Sequence, residues 1–362
     1  MIIKNVNVET HDMQLKEPYA IAGHVHDSIK NTFITLEDSD GNVGFGSCAT
    51  KNDSEESVKE CFEILNSFSL SLIEKELTPN EETFNWIASE LTSSTEANAA
   101  IDIAIHDLWA KRRKESLTDA LGMKHESFDT SITVGVSSLE RTVELAEKHI
   151  EDGFSILKIK IGDCVDEDIE RMKALFALKP EKIKIRVDAN RGYSKEELIK
   201  FYDQTFDLGL ELIEQPMEVD QNNEMLYFPE EIRKICVADE SLQIFDDAIR
   251  LVQEPRPFGV FNIKLMKCGG VSAAKKIAAL AHENGIKLMW GCFDESKVSI
   301  SAALHTALSC ENTQYIDLDG FFDLGWDLID GGYKCENGIM SVIDRSEEHT
   351  SELQSPCNLV CR

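Results

Sequence analysis

"FSILKIKIGD" (residues 154–163) decides the architecture of this chain, because it has the make-up of a buried strand yet carries two cations. Ile156, Leu157, Ile159 and Ile161 supply the branched apolar content of a buried strand. Lys158 and Lys160 stand among them two residues apart, and such residues point to the same side of a strand. One face is therefore apolar and the other aims two ammonium groups in one direction. In a barrel strand, the first face packs under helices and the second lines the interior.

The rest of the chain supplies the barrel. From about residue 131, short apolar runs that end in polar residues alternate with helical stretches, about 25 residues apart. They are SITVGV (131–136), SILKIKIG (155–162), KIRVDAN (184–190), LELIEQP (210–216), ICVADES (235–241), VFNIKLM (260–266), KLMWGCF (287–293) and YIDLDG (315–320). That spacing fits one strand, one helix and two short loops, and such units predict parallel neighbours with right-handed crossovers. Eight of them predict a closed α/β barrel. An open doubly wound sheet is the alternative, but no glycine-rich turn follows the first run.

Ahead of this lies a different pattern. IIKNVNVET, NTFITLED and DGNVGFGSC read as strands, with Asp40-Gly41 suited to a hairpin turn. Helical patterns follow at about 54–76, 80–91 and 95–116. The expected division is an N-terminal section at 1–125, a barrel at 126–320, a segment at 321–344 that returns to the N-terminal section, and a tail at 345–362. The tail contains RSEEHTSELQS, which resembles the conceptual translation of a sequencing adapter, so it is left out of functional reasoning.

Composition narrows the function. Asp plus Glu number 66 against 37 Lys plus Arg, a net charge of −29. A surface this acidic repels nucleic acid and anionic membranes. No apolar run approaches the length of a membrane span. MIIKNVNVET lacks a cationic region followed by an apolar stretch, so no signal peptide is expected. The ten cysteines form no CxxC pair and read as thiols in a reducing compartment. These features predict a cytoplasmic enzyme acting on a small molecule.

Strand alternation then selects the chemistry. Asp188, Glu214 and Asp239 face inward from three successive runs, 26 and 25 residues apart, near the ends where barrel active sites form. Adjacent strands are about 5 Å apart, so three carboxylates there need a cation, and all-oxygen ligation suits Mg²⁺. Lys160 and Lys264 come from runs two and six, on opposite sides of a closed barrel. A lysine beside other cations loses its proton more easily and becomes a usable base. Two bases on opposite faces of one carbon can remove a proton from one side and return it on the other.

Lys158-x-Lys160, Asp188-x-Asn190, Glu214, Asp239 and Lys264, with the helix ANAAIDIAIHDLWAKRRKESLTDALG and the run NIKLMKCGG, together resemble the muconate lactonizing enzyme subgroup of the enolase superfamily. The resemblance covers about residues 1–344. It implies a modified TIM barrel, (β/α)7β, with an α+β capping domain formed by the N-terminal section and the C-terminal segment. It implies one Mg²⁺ on Asp188, Glu214 and Asp239, and Lys160 and Lys264 as the acid/base pair. Asp317-x-Asp319 resembles the acids with which dipeptide epimerases of this subgroup hold a substrate α-ammonium group. The implied reaction is epimerisation of a dipeptide's C-terminal residue through an enediolate, with L-Ala-D/L-Glu as the default substrate. N-acylamino acid racemase, o-succinylbenzoate synthase and cycloisomerase activities are the alternatives within the subgroup. Substrate contacts are expected from Lys158, Asn190, Thr133, Asp317, Asp319, His24 and Asp294. His24 belongs to YAIAGHVHDSIKN (19–31), read as a loop that closes over the site. That loop has no Arg, and an acid at Asp294 disfavours a glutamate side chain. Assembly into a homo-oligomer is left open.

Overall fold

The computed structural model describes residues 1–21, 24–51, 54–178, 182–329 and 332–343; for 17–21 and 24–26 it describes the backbone alone. The tail from 344 onward lies outside the described residues. Three antiparallel strands open the chain: β1 (Ile3–Ile21), β2 (His24–Asp38) and β3 (Val43–Ala49). Then come α1 (Glu55–Ser69), α2 (Glu81–Glu90), α3 (Thr95–Arg113) and α4 (Leu117–Leu121). The helix read over 54–76 is shorter in the structure, because a 3-10 turn follows α1 and the next residues pair with β1, Ile2 bridging to Glu76. The segment read as a loop at 19–31 is hairpin strand in its described part, with Tyr19 paired to His26 and Ile21 to His24.

Small residues let α3 lie against the sheet. A Cβ on Gly46 would stand 1.9 Å from the carbonyl oxygen of Ala100, and one on Gly44 would stand 2.4 Å from that of Ala104. Contact this close to the helix backbone is open only to glycine. The turn between β2 and β3 is tied to the far end of α3. The Asp38 carboxylate accepts the N–H groups of Asp40 (2.9 Å) and Asn42 (3.0 Å) and pairs with Arg112 at 2.6 Å. Burial raises the Asp38 pKa, but Arg112 and these N–H groups outweigh it and hold it below the usual carboxylate value. Asp38→Ala strands those donors and is expected to cost about 1–3 kcal/mol. The folded pKa lies below the unfolded one, so Asp38 contributes stability above the unfolded value and loses it as pH falls through the folded one. Thermal unfolding of Asp38→Ala and wild type should therefore differ near neutrality and converge in acid.

The barrel follows. A short strand, β4 (Ser127–Asp129), precedes eight parallel strands: β5 (Ile132–Val134), β6 (Ile156–Lys160), β7 (Lys184–Asp188), β8 (Leu212–Glu214), β9 (Cys236–Ala238), β10 (Val260–Ile263), β11 (Lys287–Gly291) and β12 (Thr313–Asp317). They pair in chain order, and Thr130 bridges in parallel to Ile316, which brings the first strand against the last. The crossovers carry α5 (Leu139–Glu151), α6 (Val165–Leu178), α7 (Lys195–Thr205), α8 (Glu230–Arg233), α9 (Phe245–Leu251), α10 (Leu265–Cys268), α11 (Val271–Glu283) and α12 (Lys297–Leu308). Between β8 and β9 a 3-10 stretch, Val219–Tyr227, stands ahead of the short α8. This is the (β/α)7β barrel with an α+β cap. No described helix is long and apolar enough to cross a membrane.

Two final strands, β13 (Tyr333–Glu336) and β14 (Ile339–Val342), form a hairpin on β4. Just before them, Leu324 bridges to Leu15 of β1. The returning segment thus meets the N-terminal sheet at Leu324, while its hairpin is used at the foot of the barrel.

Candidate active site

The barrel interior is built in two layers by strand parity. Leu212, Val237, Val260 and Met289 form a buried apolar cluster with Tyr315 packed on it. Two residues further along the same strands stand Glu214, Asp239, Asn262, Gly291 and Asp317. A period of two repeats the inward direction, so a greasy floor carries a polar layer at the C-terminal ends of the strands. Water is excluded from below, and charges in that layer interact strongly.

Lys158 lies at the centre. Its Nζ is 2.6 Å from Asp317 Oδ2, 2.8 Å from Glu214 Oε2 and 3.1 Å from Asp188 Oδ2, and it is almost fully buried. Lys160, one pleat further out and partly exposed, lies 2.7 Å from Asp188 Oδ2 and donates to Asn190 Oδ1 at 2.7 Å. Asn190 also donates its backbone N–H to Asp188 at 3.0 Å, from a left-handed conformation (φ 41°). Opposite, Lys264 on the end of β10 lies 3.0 Å from Asp239 Oδ2 and 4.9 Å from the centre of the Phe293 ring. The eight-strand order places β6 and β10 four strands apart, so the two lysines flank the carboxylates from opposite walls.

Lys158, expected from sequence to be the cation beside Lys160, is itself enclosed by three acids. Burial pulls Lys158 down, but Asp317, Glu214 and Asp188 together push it well above its ordinary value. Lys264 is raised as well, by Asp239 and Glu214 against burial. Around Lys158 and Lys264 the carboxylates outweigh burial, whereas Lys267 is held below its ordinary value, chiefly by burial. The acids divide among themselves too. Against burial, Lys160 and Lys158 hold Asp188 low, and Lys264 and Lys267 hold Asp239 low. Glu214 is pushed up to about 7 by burial and by Asp188 and Asp239. Asp188, Glu214 and Asp239 present only carboxylate oxygens from three neighbouring strand ends, a donor set that fits a hard divalent cation. Among the described residues no three His, Cys, Asp or Glu side chains are drawn into one tight cluster; the lysines stand between the acids.

The two acids of β12 differ. Asp317 is buried, and besides Lys158 it accepts the Ser131 hydroxyl at 2.6 Å. Asp319 is half-buried, accepts the backbone N–H of Thr133 at 2.8 Å, and is raised to about 7 by burial and by Asp317. Thr133 therefore meets this site through its backbone. Asp294 is half-buried in the loop after β11; its carbonyl accepts from Asn31 of β2 at 3.4 Å. The side chains of His24 and His26 lie outside the described residues.

Three residues were not assigned roles from sequence. Asn262 donates to Glu214 at 2.7 Å and is fully buried; it shares the inward parity of Lys264, which was the available signal. Lys267 is buried against Asp239, reaching both its carboxylate and, at 2.7 Å, its carbonyl. It stands one helical turn after Lys264, where a strand pattern gives no hint of an inward side chain. Glu295, beside Asp294, is buried and pushed up to about 7, chiefly by burial.

Comparison with known proteins places these features. A family model described as Enolase C-terminal domain-like matches residues 141–346, and one described as Mandelate racemase / muconate lactonizing enzyme, N-terminal domain matches residues 3–122. The chain is 42% identical over 347 residues to a protein named L-Lys-D/L-Arg epimerase from Desulforapulum autotrophicum, covering 95% of this chain and 98% of the relative. It is 32% identical over 348 residues to an L-Ala-D/L-Glu epimerase from Clostridium acetobutylicum, covering 95% and 97%. A crystal structure of a dipeptide epimerase from Methylococcus capsulatus, complexed with Mg and the dipeptide L-Arg-D-Lys, superposes with a TM-score of 0.91 at 36% identity, covering 95% of this chain and 98% of that one. The chain belongs to the mandelate racemase / muconate lactonizing enzyme family of the enolase superfamily, and its likeness within that family is to dipeptide epimerases.

Proposed function

We propose that the chain epimerises the C-terminal residue of a dipeptide, with Lys160 and Lys264 as the two bases and substrates that carry cationic side chains. The observation that carries the reading is the pair of lysines on opposite walls with a carboxylate cluster between them. One lysine alone exchanges a proton on one face; inversion needs a donor on the other. Lys160 removes the α-proton of one epimer, by resemblance the L, and Lys264 that of the D, each returning what the other has taken. Asp188, Glu214 and Asp239 would hold Mg²⁺, and the bound ion would supply the positive charge that a deprotonated substrate carboxylate demands. Lys158 contacts the substrate carboxylate, and Asn190 orients Lys160. Asp319 receives the α-ammonium group, with Asp317 behind it. The capping part at 1–125, met by the return segment at Leu324, closes over the barrel at 126–320, while the hairpin of β13 and β14 stays at the barrel's foot.

Two features favour cationic substrates over L-Ala-D/L-Glu. Asp294, half-buried in the loop after β11, is an acid that disfavours a glutamate side chain. Lys30, the lysine of the 19–31 segment, is paired with Glu55 at 3.1 Å. The named L-Lys-D/L-Arg relative supports the same reading. A dipeptide library in D₂O with Mg²⁺, read by mass spectrometry, should show deuterium entering the C-terminal residue. Lys- and Arg-containing dipeptides should exceed L-Ala-L-Glu by about tenfold or more, the scale of one charged contact. If Ala-Glu is fastest, the cationic preference fails. If no dipeptide takes up deuterium, the epimerase reading fails.

A further inference from the structure

The cap reaches the catalytic wall from outside the barrel, through a carboxylate on α3. Asp102 is fully buried in the middle of that helix. Its carboxylate accepts the backbone N–H of Val271 at 2.6 Å and that of Ser272 at 3.3 Å, the first two residues of α11. The helix α11 needs this from elsewhere: its preceding residue is Gly270, which has no side chain, and its first turn carries no acid. Fit is as tight as bonding. A Cβ on Gly270 would stand 2.6 Å from Asp102 Cβ, and one on Gly269 would stand 3.0 Å from Asn98 Nδ2, one turn earlier on α3.

What Asp102 grips is continuous with Lys264. Gly269 and Gly270 both donate to the carbonyl of Leu265, at 3.0 and 2.9 Å. Lys267 and Cys268 donate to the carbonyl of Lys264 itself, at 3.0 and 3.2 Å. The single turn of α10 therefore hangs between β10 and the point where Asp102 holds the chain. We infer that Asp102 is a positioning residue for Lys264: the cap fixes, through α10, the lysine of one wall and leaves the Lys160 wall untouched. The inference rests on the two-base reading above, because only two separately mounted bases can be disturbed one at a time.

The test compares wild type, Asp102→Ala, Asp102→Asn and Lys264→Ala, each with both epimers of the best dipeptide in D₂O. Lys264→Ala defines the epimer whose exchange depends on Lys264. Asp102→Ala should slow exchange from that epimer by about 10- to 100-fold, the scale of a misplacement near 1 Å. Exchange from the other epimer should stay within about threefold, and kcat should fall more than KM. Asp102→Asn, which keeps one acceptor oxygen, should recover most of the loss. Amide hydrogen exchange supplies a readout that needs no turnover: peptides spanning 264–272 should exchange faster in Asp102→Ala, and peptides spanning 156–190 should not. Equal losses for both epimers, or unaltered amide exchange over 264–272, would overturn the inference. If wild type exchanges neither epimer, the epimerase reading fails, and amide exchange alone decides whether Asp102 holds the Lys264 segment.

Discussion

Lys264→Ala is expected to lower epimerisation by roughly 10³-fold, the size of a lost general acid or base, while one epimer of the substrate still exchanges its α-proton with solvent. Lys160→Ala should give the mirror result, with the surviving exchange on the other epimer. The asymmetry follows from the mounting. Lys160 is carried on β6 and braced by Asp188 and Asn190, at 2.7 Å each. Lys264 is carried four strands away on β10 and braced by Asp239 at 3.0 Å. Among the described residues they share no bonded partner, so removing one should leave the geometry of the other in place. NMR or mass spectrometry of both epimers in D₂O separates exchange from inversion. Loss of exchange from both epimers in either variant would show that one lysine serves both faces, and the two-wall reading would be wrong.

The site was legible in sequence wherever the signal was local parity. Lys158 with Lys160, and Asp188 with Asn190, each stand two apart in a five-residue strand, and a period of two needs no knowledge of the fold beyond the strand itself. The same rule placed Glu214, Asp239 and Asp317 on one polar layer. It failed where the backbone leaves the strand. Lys267 points inward from a single helical turn, and Asp102 acts from another domain, 169 residues away from Val271. It also failed for electrostatics. The sequence shows Lys158 only as a cation beside Lys160, but the fold brings Asp317 to 2.6 Å from it across 159 residues, and the surrounding acids push Lys158 well above its ordinary value. Fold class was legible from the beat of strands, but the hairpin was not. Its strands pair beyond residue 18 into a stretch that the family resemblance had marked as a loop over the site.

Removing divalent metal should abolish turnover, and the more informative expectation concerns stability. Lys158 and a cation held by Asp188 and Glu214 would compete for the same oxygens, those now 3.1 and 2.8 Å from the Lys158 ammonium. Without metal, Lys158→Met leaves buried carboxylates unpaired, a loss of about 3–5 kcal/mol. Added Mg²⁺ then restores the missing positive charge, so it should stabilise Lys158→Met more than it stabilises wild type. For wild type the gain at a hundred times Kd is about 2.7 kcal/mol. In Glu214→Gln the gain should largely vanish, because a neutral amide replaces the carboxyl that burial and its neighbours most strain. Thermal unfolding of the three proteins, in EDTA and in Mg²⁺, reads the whole comparison. An equal Mg²⁺ gain in wild type and Lys158→Met would mean that lysine and metal do not share oxygens, and an undiminished gain in Glu214→Gln would move the metal off this cluster.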